Sequence, residues 1–174
     1  YTGDTLVKAG ELQLRVNNAL NPLSKVTIDG GLLTMGNYYA LINEVVLMSG
    51  SIESSNFLDG SHISAYGGSL VNVQQQAALT IESGLVSVKG SNFKSIYVKS
   101  NATLDLSADE TSRVRTTRDL TFENGATLKV ALSSRSLSSL ILGGALIMGE
   151  NVKLDIFSGV GENEYFTKDY DLIT

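Results

Sequence analysis

Apolar and polar residues alternate along most of the chain, in short runs broken by tight turns. The clearest run is Val26-Thr27-Ile28-Asp29-Gly30-Gly31-Leu32-Leu33-Thr34-Met35. Alternation with a period of two is the signature of a half-buried strand, and Gly-Gly between the two halves supplies a corner. The phrase returns as Leu79-Thr80-Ile81-Glu82-Ser83-Gly84-Leu85-Val86-Ser87-Val88 and as Leu120-Thr121-Phe122-Glu123-Asn124-Gly125-Ala126-Thr127-Leu128-Lys129-Val130. Looser copies begin at Ile63 and Ile96. With Gly10, Gly31, Gly50, Gly68, Gly84, Asn101, Gly125 and the Gly149-Glu150-Asn151 turn as markers, successive gaps are roughly 21, 19, 18, 16, 17, 24 and 25 residues. Unequal gaps disfavour a propeller of uniform blades. They suit a solenoid whose loops vary while its strands stay in register.

A strand–turn–strand unit with one apolar face cannot bury that face alone, whereas stacked copies do. The expected fold is therefore all-β: a single-stranded parallel β-helix of about eight coils, nearly 40 Å long at about 4.8 Å per coil. In-register stacking predicts an outward column of Asp105, Lys129 and Asp155, alternating in sign. An antiparallel sandwich would need two-residue hairpin loops, and only Asn124-Gly125 offers that signal. Residues 74–78 are expected to form a corner, and 107–119 a polar excursion. Leu140-Ile141-Leu142-Gly143-Gly144-Ala145-Leu146-Ile147-Met148, the most apolar stretch, is expected to be a buried strand, turn and strand. The last residues, Tyr170-Asp171-Leu172-Ile173-Thr174, begin another strand, so the chain is expected to be a fragment of a longer polypeptide.

Composition narrows the function more than the fold. Of the 174 residues 43% are hydrophobic and 18% charged, which disfavours disorder. Seventeen glycines without a Gly-X-Y period exclude collagen, and no apolar run is long enough to span a membrane as a helix. No basic amino-terminal segment precedes an apolar stretch, so a signal peptide is expected to be absent or removed. The chain has no cysteine, so it relies on packing without disulfides. A net charge of −5, with no basic cluster beyond Arg113, Arg115 and Arg118, gives poor support to nucleic-acid binding. Those arginines read as an exposed loop edge.

Candidate chemistry is sparse. His62 is the only histidine, and no His or Cys cluster has metal-ligand spacing. Asp109-Glu110 and Glu162-Asn163-Glu164 are adjacent loop acids, which do not set two carboxyls at the separations glycoside hydrolysis needs. The serines near Ser136 lack a nucleophile elbow, and Gly143-Gly144 lacks the lysine of a phosphate loop. No cofactor is expected.

The opening Tyr1-Thr2-Gly3-Asp4-Thr5-Leu6-Val7-Lys8-Ala9-Gly10-Glu11-Leu12-Gln13-Leu14 resembles the Y-T-G-x-T-x-V-x-x-G-x-L-x-L signature of autotransporter passenger repeats. Asn17-Asn18-Ala19-Leu20 and the run from Val26 are similar to the continuation of that repeat. Tyr170-Asp171-Leu172-Ile173-Thr174 is similar to the segment preceding the membrane barrel. The resemblance implies a right-handed β-helix exported through the Gram-negative outer membrane to the bacterial cell surface. It implies a carboxy-terminal capping or autochaperone-like end, here 133–174. The partners it implies are the polypeptide's own outer-membrane β-barrel and upstream passenger coils, with a host cell-surface or cytoskeletal protein as a further partner. Candidate folding and capping residues are Leu146, Ile147, Leu154, Ile156, Phe157, Tyr165, Phe166, Tyr170 and Leu172. Three functions stay open: a non-enzymatic folding and secretion module, an adhesive surface on loops 107–119 and 133–139, and a polysaccharide-cleaving enzyme.

Overall fold

The structure is a computed structural model that describes residues 3–109, 111–132 and 137–158. Among them there is no helix. Every strand pair is parallel, and the single antiparallel contact is an isolated bridge between Leu132 and Leu137. The chain winds in successive coils, each pairing with the coil before and the coil after.

The first coil holds β1 (Thr5–Val7) and β2 (Glu11–Gln13). The second holds β3 (Lys25–Thr34) and β4 (Tyr39–Ala40), and the third β5 (Glu44–Glu53) and β6 (Asn56–Phe57). The fourth is β7 (His62–Ala65), β8 (Gly68–Val71) and β9 (Gln74–Gln75). The fifth is β10 (Ala78–Ile81), β11 (Leu85–Lys89) and β12 (Asn92–Phe93). The sixth is β13 (Ser95–Val98), β14 (Thr103–Asp105) and β15 (Arg113–Thr116). The seventh is β16 (Leu120–Phe122), β17 (Thr127–Leu132) and β18 (Ser139–Leu142). The eighth is β19 (Leu146–Met148) and β20 (Lys153–Ser158).

Each complete coil therefore has three faces. Because β3 and β5 run unbroken through their first corner, faces one and two form one 14-stranded sheet. The third face is two short ladders, β4-β6-β9 and β12-β15-β18. This parallel stacking agrees with a parallel β-helix.

Register is kept by the core. Thr5, Val26, Val45, Ile63, Leu79, Ile96, Leu120 and Leu146 stand one above another on the first face. The steps between them are 21, 19, 18, 16, 17, 24 and 26 residues. Val26 through Leu120 in that column are buried. On the second face Val86, Leu104 and Leu128 stack beneath Leu154, and Val130 beneath Ile156. A one-residue slip would turn a whole strand's apolar set outward, so these columns fix the pairing. The expected charge column exists, Asp105 pairing with Lys129 and Lys129 with Asp155, although Asp105 is covered and only 7% exposed.

The first corner carries one residue in the left-handed region in every coil: Gly10, Gly30, Gly50, Gly68, Gly84, Asn101, Gly125 and Asn151. In the second coil that residue is Gly30, one place before the sequence marker Gly31. Left-handed backbone costs a residue with a Cβ, and Gly or Asn tolerates it best. A second corner is left-handed too, at Gly36, Ser54, Asn72 and Gly90.

Three expectations change. Residues 74–78 are not simply a corner, because Gln74–Gln75 is strand β9. The polar excursion contains β15, with Val114 and Thr116 turned inward. Two- to four-residue strands with one or two inward apolar positions carry too little periodicity to be recognised from sequence. Leu146–Met148 is a strand but not a buried one, with Leu146 37%, Ile147 48% and Met148 52% exposed. No described strand stacks on its far side.

Candidate functional site

The third face is where the chain departs most from a plain core wrapper. Alternation along its strands sends Phe57 and Phe93 inward, both essentially inaccessible. The preceding residues Asn56 and Asn92 point the other way. Ser55 and Ser91 sit just before them, fully buried at the second corner. The Ser91 hydroxyl donates to the Lys89 carbonyl (2.8 Å) and accepts from the Val73 N–H (3.0 Å). Small hydroxyl residues let the chain turn sharply while meeting the backbone's polar groups.

Stacking then builds an outward column. Tyr39 pairs with Asn56 and Asn56 with Gln74 in one ladder, and Asn92 pairs with Arg115 and Arg115 with Ile141 in the other. The ladders are joined by the Asn92 N–H donating to the Val73 carbonyl (2.8 Å) and by Asn92 Nδ2 donating to Gln74 Oε1 (2.5 Å). Gln74 Nε2 donates to the Gly90 carbonyl (3.0 Å). Asn56 Nδ2 donates to the carbonyls of Gly36 (2.8 Å) and Tyr38 (3.1 Å). The amides are thus pinned by their N–H groups to neighbouring coils.

This column lines a cleft of about 740 Å³. Asn56, Gln74, Gln76, Asn92 and Arg115 contribute polar groups, with Thr116 and Thr117. Phe93, Ile141 and Leu142 contribute apolar surface, and Gly143 closes the lining. A Cβ on Gly143 would lie 2.8 Å from the Thr117 carbonyl oxygen and 3.0 Å from that of Thr116, so the chain passes too close there for a side chain. No Asp or Glu is among the lining residues, so the two-carboxylate chemistry of glycoside hydrolysis has no groups in this cleft.

The residues singled out from sequence fall elsewhere. Leu146, Leu154 and Ile156 stand on core columns of the eighth coil, the last two 53% and 52% exposed. Ile147 is on the outward column with Tyr97 and Thr121, so it does not share their face. The backbone of Phe157 belongs to β20. Tyr165, Phe166, Tyr170 and Leu172 lie outside the described residues, as do Glu110, Arg135, Ser136, Glu162 and Glu164. His62 opens β7, and no metal-binding group of His, Cys, Asp or Glu occurs among the described residues. Arg113, Arg115 and Arg118 are all exposed, but Arg113 and Arg115 lie on strand β15 and not on a loop edge. Arg115 also enters the cleft, which sequence reading missed. The available signal was Ser-Asn-Phe, present at 55–57 and again at 91–93.

Asp109 is structural. Its Oδ1 accepts from the Thr111 N–H (2.8 Å) and hydroxyl (2.7 Å), and Oδ2 meets Lys89 Nζ at 3.0 Å. These contacts lower its pKa to about 2, the Thr111 hydroxyl contributing most. On the first face Glu123 takes hydrogen bonds from the Tyr97 hydroxyl (2.6 Å) and from Ser100 N–H and hydroxyl (2.8 and 2.9 Å). The Tyr97 bond is foremost in holding the Glu123 carboxyl below its usual range and in raising Tyr97. This is an exposed cross-coil network and encloses no space.

No family model matches the chain, and neither a curated protein nor a solved structure matches it.

Proposed function

We propose that this chain is a segment of an autotransporter passenger, a right-handed parallel β-helix that promotes folding and outer-membrane export of its own polypeptide at the bacterial surface. In this proposal residues 133–174 are the capping, autochaperone-like end. The partners are the upstream coils and the polypeptide's own membrane barrel, and no chemistry is performed on a substrate.

One observation carries the proposal. Leu146, Met148, Leu154 and Ile156 extend the columns of buried Leu120, Phe122, Leu128 and Val130, yet all four are exposed. They are core residues by position without a described coil stacked on them. A face like this calls for a covering segment before the eighth coil is secure, which is the place the proposal gives to the capping end; the coils beneath then offer a stable start for those upstream. Stability in such an array is close to a sum of coil and neighbour terms, so a stable segment at one end can nucleate the rest.

The test is surface display of the full polypeptide carrying Leu154→Asp together with Ile156→Asp. The isolated 174-residue chain should keep its β circular dichroism with either change, because both side chains are half exposed. Display should fall at least tenfold. Undiminished display with intact folding would sink the proposal.

A further inference from the structure

The third-face cleft has a chemistry that the stacking role does not use, and we propose that it binds a carboxylated glycan. Three features of the site select that ligand class.

The first is the state of the amides. Both asparagines, Asn56 and Asn92, spend N–H groups on protein acceptors, while neither Oδ1 has a partner among the described residues. A side-chain carbonyl held this way is a fixed acceptor and calls for a ligand that donates. Sugar hydroxyls donate, whereas carboxylates and phosphates only accept.

The second is Arg115. It is exposed and lines the cleft, and its guanidinium makes no hydrogen bond or ion pair among the described residues. A guanidinium binds a carboxylate through two parallel N–H donors, a geometry that a lone ammonium does not reproduce. The net charge of −5 repels polyanions at long range, so an acidic ligand must be held by this local contact.

The third is spacing. Asn56, Gln74, Asn92 and Arg115 belong to four successive coils, one step of about 4.8 Å apart each. That rise is close to the length of one pyranose unit in an extended glycan. Successive rings therefore meet successive coils, with Phe93, Ile141 and Leu142 offering apolar surface to the C–H faces of the rings. An acidic peptide satisfies Arg115 and has backbone N–H groups to offer, but its repeat of about 3.3 Å per residue does not keep step with coils about 4.8 Å apart. A neutral glycan satisfies the amides but not the arginine.

The test is an NMR titration of the 174-residue chain, read at the side-chain amides of Gln74 and Asn92 and at Arg115 Nε. The probes are hexagalacturonate and a hyaluronan hexasaccharide, with fully methyl-esterified hexagalacturonate and hexaglutamate as controls. At least one acidic glycan should shift these three signals together. Its affinity should exceed that of both controls by about tenfold or more. Arg115→Gln, an exposed substitution that leaves the circular dichroism unchanged, should weaken the acidic glycan about tenfold and leave the ester unaffected. Asn92→Ala should weaken both. Absence of shifts at millimolar probe, equal binding of hexaglutamate, or unchanged affinity in Arg115→Gln would each overturn the proposal. Because the readout is local binding by folded chain, it is independent of display.

Discussion

At the left-handed corners, one atom separates a tolerated substitution from a disruptive one. Gly68 has φ of +85°, and a Cβ there would sit 2.6 Å from the Gly50 carbonyl oxygen of the coil beneath. Gly36 is also left-handed, at +56°, but a Cβ there meets nothing within 4 Å. Gly36→Ala should therefore cost only the conformational term, about 1 kcal/mol. Gly68→Ala adds a clash with backbone that cannot rotate away, and should cost at least about 3 kcal/mol. Urea midpoints of the two variants measure the difference directly. Asp109 gives a second prediction, with a sign. Its folded pKa, about 2, lies below the ordinary 3.8. Its contribution is complete above about pH 4 and is lost as pH falls through about 2. Asp109→Asn should be less stable than the parent at pH 6, by about 1 kcal/mol after allowance for its partial exposure. The two should converge near pH 2 in paired urea titrations.

Between coils, side-chain ladders report register, and the Asp105–Lys129–Asp155 column is the sharpest of them. Lys129 Nζ lies 3.8 Å from Asp105 Oδ2, and Asp105 is 7% exposed. Lys129→Glu would place a carboxylate between two others, the lower one nearly desolvated. It should cost about 1–2 kcal/mol, part of it recovered in 1 M salt. A loss indifferent to salt would mean that the column is not electrostatically coupled. This column was legible from sequence because its three residues hold the same place after a recognisable turn. The first two faces were legible for the same reason: strands of three to ten residues reveal a period of two. The third face was not. Tyr39–Ala40, Asn56–Phe57 and Asn92–Phe93 are two residues each, and alternation cannot be read from a single step. Its cleft was hidden with it, since Asn56, Gln74, Asn92 and Arg115 are scattered singly along the sequence and meet only once coils of unequal length are brought into register.

Over the whole molecule, unequal coil lengths and constant strand register coexist because the extra residues are confined to corners. The step from Ile96 to Leu120 is 24 residues, and that from Ile63 to Leu79 is 16, yet both pairs are direct neighbours in the first face. The longer coil spends its surplus between β14 and β15, where Asp109 ties the loop to Lys89 of the preceding coil. A backbone that varies at its corners and not along its strands can change its surface without altering its core. This is also why the composition, which disfavoured disorder and ruled out disulfides, said little about the cleft: the cleft is made from corners and short strands, and the composition is dominated by the core.

The direction of the inter-coil hydrogen bonds has a mechanical consequence. In a stack wound this way the bonds run along the long axis, from each coil to the next. Tension on the end at β20 does not load them all at once. It opens the β17–β20 ladder one pair at a time, as a zipper opens, and leaves the coils below untouched. Each coil released frees between 16 and 26 residues of thread, roughly 55 to 90 Å at about 3.5 Å per residue. The same rod that resists bending as a solid body is thus easily drawn out from its end as a strand, in discrete lengths, and rewinds on the coil that remains.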